Sequence, residues 1–398
     1  MIDYNKFLNR NILNVKPSGI RKFFSIAEEM DNVISLGVGE PDFLTPWHIR
    51  RKGIETLERG STRYTANAGL LELRKEIAAF YSNKYHIDYD PAGEVLVTVG
   101  GSEGIDMCIR TLVSPGDEVL IVEPSFVCYK PIVEMCGGVP VVIETKNENN
   151  FRLTADEIKN AVTDKTKLLV LPFPNNPTGA VMRKDDLVAI SRVLKANDVF
   201  VLSDEIYSEL TYGDQRHISI ASISGMKERT VVINGFSKTY SMTGWRLGYA
   251  LGPETVIKQM TKLHQFAIMS APTNSQYAAI EALRNGDNDI EKMLGEYDMR
   301  RRYTVNAFRE IGLDCFEPEG AFYVFPCIKS TGLSSEEFCE KLIMSKRVAV
   351  VPGNAFGNCG EGFIRVSYCY SIDNIKEAVR RIGEFIKELG EDDDNRGN

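Results

Sequence analysis

Asn234-Gly235-Phe236-Ser237-Lys238-Thr239-Tyr240-Ser241-Met242-Thr243-Gly244-Trp245-Arg246 begins where an apolar, β-branched run at 230–233 stops. Most lysines are solvated surface charges. Lys238 has a different setting, because small and polar residues surround it just past a strand-like run, where loops deliver side chains into sites. Arg246 closes the stretch. Lysine is also the side chain that forms Schiff bases with carbonyl groups once its surroundings lower its pKa. A ligand bearing such a carbonyl needs further partners, and the neighbouring strand ends are where they are expected.

The chain has 398 residues, more than a typical single domain, so two domains or one large α/β core are expected. Apolar residues make up 43% and charged ones 26%, an ordinary balance for a globular enzyme. A net charge of −8 argues against a nucleic-acid or anionic-membrane surface, since both want basic patches. No basic segment followed by an apolar stretch opens the chain, and apolar runs stay far below the roughly 20 residues of a membrane helix. The eight cysteines form no Cys-x-x-Cys pair and read as reduced thiols of a cytoplasmic protein. Four histidines without a His-x-x-x-His pair predict no metal site.

From about 65 to 285, short β-branched runs alternate with longer amphipathic stretches. Leu70, Leu73, Ile77 and Phe80 recur at helical spacing. Strands are predicted at 95–99, 119–122, 139–143, 168–171, 199–202 and 231–233, and helical stretches between most of them imply parallel strands with helical crossovers. Beyond 287 a charged helical stretch at 291–309 leads to Ala321-Phe322-Tyr323-Val324-Phe325 and Phe363-Ile364-Arg365-Val366-Ser367, which reads as a smaller α+β domain. The N-terminal stretch, broken by Pro17, Gly19, Gly37, Gly39 and Pro41, is expected to wrap onto it. The expected division is 47–286 for a large domain and 1–46 with 287–398 for a small one. The polar tail Glu391-Asp392-Asp393-Asp394-Asn395 is expected to fray.

In an open parallel sheet, ligands gather beyond the carboxyl ends of the strands. Gly100-Gly101-Ser102-Glu103-Gly104 follows one predicted strand and opens a helix, so its backbone N–H groups are free for an anion; a plain turn explains it equally well. It is not Gly-x-Gly-x-x-Gly, which gives a dinucleotide little support. Pro174-Asn175-Asn176-Pro177-Thr178-Gly179 is first of all a tight turn, yet it would also hold the Asn176 amide rigidly. Asp204 could merely cap a following helix. Under a pyridine nitrogen, its carboxylate would instead hold the ring's proton and make the ring an electron sink. Tyr207 lies one helical turn on, so both could face one ligand.

Together, in this order, these motifs resemble the fold-type I pyridoxal phosphate aminotransferases of class I/II. The likeness extends from Leu36-Gly37-Val38-Gly39-Glu40-Pro41-Asp42-Phe43 to Arg365-Val366-Ser367-Tyr368. It implies an α/β fold with a mostly parallel seven-stranded sheet flanked by helices, a smaller α+β domain, a homodimer and pyridoxal 5′-phosphate as cofactor. It implies that Lys238 binds the cofactor aldehyde, that Asp204 pairs with the pyridine nitrogen, and that Asn176 and Tyr207 hydrogen-bond its phenolic oxygen. Phe126 would stack on the ring. Gly101, Ser102, Glu103, Ser237 and Arg246 match phosphate-binding positions, and Tyr64 matches a tyrosine reaching the phosphate from a partner subunit. Arg365 would fork onto the substrate α-carboxylate beside Gly39. Cis bonds are implied before Pro124 and Pro177.

Two departures stand out: Gly235 where some relatives carry a phosphate-binding serine, and Phe126 where others carry tryptophan. No arginine stands out for a second substrate carboxylate; Arg21, Arg300, Arg301 and Arg302 read as solvated. Ile20, Phe23 and Phe126 would form an apolar wall, unless Arg21 or Lys22 pairs with an acidic or N-acylated side chain. The expected reaction is transfer of an amino group from an L-amino acid to a 2-oxo acid, 2-oxoglutarate by resemblance, in ping-pong fashion. The rivals are a carbon–sulfur β-lyase on the same scaffold and a non-catalytic, cofactor-binding regulator.

Overall fold

The computed structural model describes residues 2–17, 19, 30–214 and 216–396. In chain order its strands are β1 (Ile34–Ser35), β2 (Val95–Thr98), β3 (Glu118–Glu123), β4 (Val139–Glu144), β5 (Thr166–Pro172), β6 (Phe200–Asp204), β7 (Thr230–Gly235), β8 (Gly248–Leu251), β9 (Tyr323–Val324), β10 (Val348–Ala349), β11 (Val351–Pro352) and β12 (Ile364–Ser367). Seven of them form the central sheet in the order β2-β8-β7-β6-β5-β3-β4. Pairing is parallel from β7 through β4, while β8 runs antiparallel to both β7 and β2.

The connections explain this. Helices Gly100–Leu112, Tyr129–Met135, Ala155–Ala161 and Lys184–Ala196 carry the chain back after β2, β3, β4 and β5. An irregular stretch with two short 3₁₀ turns does the same after β6. No α-helix separates β7 from β8, only a 3₁₀ turn at Thr243–Trp245. The loop holding Lys238 turns directly into β8, which must therefore run the opposite way. Sequence reading did not predict β8, a four-residue strand with glycine and alanine that gives little β-branched signal. The sheet is covered on both faces. Alternate residues of β2 divide between two cores, Leu96 with Ile105, Met107 and Ile109 on one side, Val95 and Val97 with Leu73, Ile77 and Tyr81 on the other. The predicted strand-end residues consequently collect at one edge.

A second core, rich in Tyr297, Phe308, Phe322, Phe338 and Tyr368, lies under the antiparallel sheet β11-β12-β9 and the helices Asp287–Glu310, Ser335–Lys346 and Ile372–Arg396. β1 pairs parallel with β10, and Ser367 N–H donates to the Leu36 carbonyl. The short helix Arg10–Asn14 lies elsewhere, with Asn11 Nδ2 donating to Met135 O. We propose the division at 46/47 and 286/287 on this second core, which Tyr207, Leu210 and Tyr212 of the larger part also join.

Three expectations need correction. The C-terminal helix does not fray at the acidic tail but continues to Arg396, as part of one amphipathic helix packed on the second core. Arg300 and Arg301 are buried rather than solvated, Arg300 paired with Asp42 at 2.8 Å and Arg301 with Asp298 and Glu317. A buried guanidinium needs such partners. Asp204 caps no helix, because residues 206–209 form turns. The bonds before Pro124, Pro174 and Pro177 are cis. Arg21, Lys22, Ile20 and Phe23 lie outside the described residues. Among the described residues no helix is long and apolar enough to cross a membrane, and no group of His, Cys, Asp and Glu could hold a metal.

The two parts are joined by a charged clamp. His48, on the helix Trp47–Glu58, meets Glu281 Oε1 at 2.8 Å and Asp289 Oδ2 at 2.9 Å, on the helices Thr273–Asn285 and Asp287–Glu310. Burial works against the imidazolium, but the bonds to Asp289 and Glu281 outweigh it and raise the pKa above its ordinary value. A raised folded pKa stabilises fully below the unfolded value of about 6.5, and that contribution is lost as pH climbs through the folded one. His48→Gln should therefore lower the melting temperature more at pH 6 than at pH 9, by no more than about 1 kcal/mol because the pair is part-exposed. An equal drop at both pH values would contradict the clamp.

Candidate active site

The edge where β2, β3, β5, β6 and β7 end opens into a cavity of about 310 Å³. Its wall brings together Gly39, Gly101, Ser102, Phe126, Asn176, Asp204, Tyr207, Ser237, Lys238, Arg246 and Arg365. Glu103 and Tyr64 are not part of it.

At the end of β2, Gly100 takes a left-handed φ of +74°, where a Cβ would lie 2.8 Å from Arg246 Nη2. Gly248 in β8 packs so closely that a Cβ would sit 2.6 Å from the backbone of Gly100 and Gly101. These close approaches set the helix Gly100–Leu112 directly against β8 and leave its first amides unpaired, an anion site by geometry and dipole. The Glu103 carboxylate turns away, Oε2 accepting from Val99 N–H and Oε1 lying 2.9 Å from His264 Nδ1. A carboxylate would repel an anion, so only the Glu103 backbone suits that role.

Lys238 Nζ donates to the Gly39 carbonyl at 2.6 Å and faces the Phe322 ring at 5.6 Å. No carboxylate pairs with it among the described residues. Burial lowers the amine to about 8; Arg365 and Arg246 push the same way, while Cys369 and Glu40 oppose.

Asp204 ends β6 and is buried, with no cation as partner among the described residues. Its Oδ2 accepts from the Tyr129 hydroxyl at 2.6 Å and its Oδ1 from Ile206 N–H at 3.2 Å. Burial raises its pKa, against which both hydrogen bonds work.

Arg365, on β12, reaches the cavity from the other side. Its guanidinium lies between the rings of Tyr323 and Phe356, 4.5 and 4.7 Å from their centroids. Nη1 donates to Asn176 Oδ1 at 2.9 Å and Nη2 to the Gly37 carbonyl, while buried Nε has no hydrogen-bond partner among the described residues. With no acid beside it, burial lowers its pKa. A buried cation without a counter-ion is costly, and an anionic ligand supplies what is missing.

Asn176 is fixed by its turn, where Thr178 N–H donates to Asn175 Oδ1 and Asn175 Nδ2 reaches the Pro124 carbonyl. Tyr64 is 81% exposed. Tyr129 and Tyr323 were missed by sequence reading. Tyr129 faces Phe126 edge-on, and Tyr323 meets the Tyr207 hydroxyl at 2.9 Å.

The lowered amine makes a specific prediction. Without any bound carbonyl compound, the rate of reductive alkylation at Lys238 should rise with pH through about 8, against about 10.4 for solvated lysines. Peptide-resolved labelling measures it, and a midpoint indistinguishable from bulk lysine would contradict the burial argument.

The class I and II aminotransferase family description matches residues 31–382. The chain is similar to an aspartate aminotransferase of Pyrococcus abyssi, 46% identical over 94% of this chain and 97% of that protein. It is also similar to aromatic-amino-acid aminotransferase 2 of Thermococcus litoralis, at 45% identity over the same shares. The crystal structure of an aromatic aminotransferase from Pyrococcus horikoshii superposes with a TM-score of 0.88 at 44% identity, covering 92% of this chain and 99% of that one.

Proposed function

The chain belongs to the class I and II aminotransferases, and from that premise we propose the parts its own residues play. The family reaction moves an amino group from an amino acid to a 2-oxo acid, in two half-reactions with pyridoxal 5′-phosphate. The residues fit that cofactor. Asp204 is a buried carboxylate with no cation as partner among the described residues, suited to a protonated ring nitrogen, and the Gly100 close approach brings free amides and Arg246 to one anion site. When bound, pyridoxal phosphate supplies an aldehyde for the amino group and a ring that withdraws electrons from the substrate α-carbon.

Lys238 would hold the aldehyde between turnovers. Its amine, lowered to about 8 by burial, would serve as the general base for the α-carbon proton. Asp204, its Oδ2 restrained by the Tyr129 hydroxyl, would keep the ring nitrogen's proton in place. Asn176 and Tyr207 meet the ring's phenolic oxygen, Phe126 covers the ring, and Gly101, Ser102, Glu103 (through its amide), Ser237 and Arg246 hold the phosphate. Arg365 forks onto the α-carboxylate beside Gly39. The observation that carries this reading is the Arg365 guanidinium, buried with Nε unpaired, sharing one cavity with the Lys238 amine, and neither has a carboxylate partner among the described residues.

We further propose a homodimer in which Tyr64 completes the partner's phosphate site, supported by the exposure of Tyr64, Leu44, Trp47 and Phe266. A fully active monomer at assay concentration would contradict it. Eight free thiols favour a cytoplasmic location.

Relatives of nearly equal identity carry aspartate and aromatic names, so identity does not choose the donor. The cavity's described cations are Lys238, Arg246 and Arg365, each with a task assigned, and Val38, Phe126 and Tyr323 supply apolar or aromatic surface. We propose a donor with a long or aromatic side chain and 2-oxoglutarate as acceptor. Comparing kcat/KM for phenylalanine, aspartate and an N-acyl diamino acid tests this. Phenylalanine should lead; aspartate ahead by more than about tenfold, roughly 1.4 kcal/mol, would show that another cation enters the pocket.

A further inference from the structure

The Tyr323 hydroxyl has no role so far assigned, yet the side chain touches both halves of the site. Its hydroxyl lies 2.9 Å from that of Tyr207, and its ring carries the Arg365 guanidinium. Among the described residues neither hydroxyl has another hydrogen-bond partner, and both side chains are buried.

Two phenols joined by one hydrogen bond hold two protons, of which the bond uses one. The Arg365 contact indicates which. The Gly39 backbone passes close to Tyr323 Oη, where an added Cβ would lie 2.0 Å away, and Tyr207 is that hydroxyl's hydrogen-bond partner among the described residues. Arg365 over the Tyr323 ring draws electron density from the phenol and makes it the better donor. The ionisable groups facing the pair are Arg365, Cys369 and Tyr370. Burial keeps both phenols protonated.

The geometry points to Tyr323 as a positioning residue: its hydroxyl donates to Tyr207, which frees and aims the Tyr207 proton at the phenolic oxygen of the cofactor. The inference rests on the proposal that Tyr207 meets that oxygen. A hydrogen bond received at Tyr207 polarises its own O–H, strengthening the next bond by about 10–30%. A stronger bond to the anionic oxygen favours the deprotonated form of the bound cofactor.

The test uses the pyridoxal phosphate-loaded protein and reads the pH midpoint of its visible absorption. Tyr207→Phe should raise the midpoint, and Tyr323→Phe should raise it by about a tenth to a third as much. In the Tyr207→Phe background, Tyr323→Phe should add nothing, the mark of one residue acting through the other. Tyr323→Phe keeps the ring under Arg365, so KM for amino acids and the melting temperature of the cofactor-free protein should hold. Tyr323→Leu, which loses the stack as well, should raise KM. An unmoved midpoint in Tyr323→Phe beside a moved one in Tyr207→Phe overturns the inference alone. So does an undiminished shift in the double variant. A Tyr207→Phe midpoint that does not move overturns the assignment of Tyr207 itself.

Discussion

Six strands of the central sheet run one way, and β8 alone runs back between β2 and β7. Everything at the site depends on that arrangement. It brings the ends of β2, β3, β5, β6 and β7 to a single edge, where loops carry an anion cradle, an aromatic ring, an amide, a carboxylate and an amine into one cavity. The reversed strand has a second effect. Gly248 packs onto Gly100 and Gly101 with no room for a side chain, so the start of one helix and the end of the Lys238 loop are fixed against each other.

The electrostatics follow from burial without compensation. In the second core the buried guanidinium groups are paired with acids, Arg300 with Asp42 and Arg301 with Asp298 and Glu317. At the cavity the pattern fails three times: Lys238 rests on a carbonyl, Asp204 on a hydroxyl and an amide, and Arg365 on an amide oxygen, a carbonyl and two rings. Each group is held in place and left short of a counter-charge, a state that destabilises the empty fold and strengthens binding of a ligand with complementary charges.

Much of this was legible in the sequence, for a physical reason. Lys238, Asp204, Asn176 and Ser102 sit just past apolar runs, and strand ends are visible as changes of composition. Tyr129 and Tyr323 were not legible, since one lies in a short helix and the other in an apolar stretch, where an aromatic residue reads as core. Their hydroxyl partners come from other elements. Arg300 and Arg301 looked solvated because a charged helix gives no sign of which turn faces a second core. The direction of the Glu103 side chain, toward His264 and away from the cavity, was likewise a matter of packing between two helices.

The central claim is that the protein's chemistry is anchored at one lysine. Borohydride reduction of the purified protein loaded with pyridoxal phosphate, followed by peptide mapping, tests it most directly. The account predicts one reduced adduct per chain, on the peptide containing Lys238. An adduct on any other lysine, or none formed by protein that has taken up the cofactor, would contradict it.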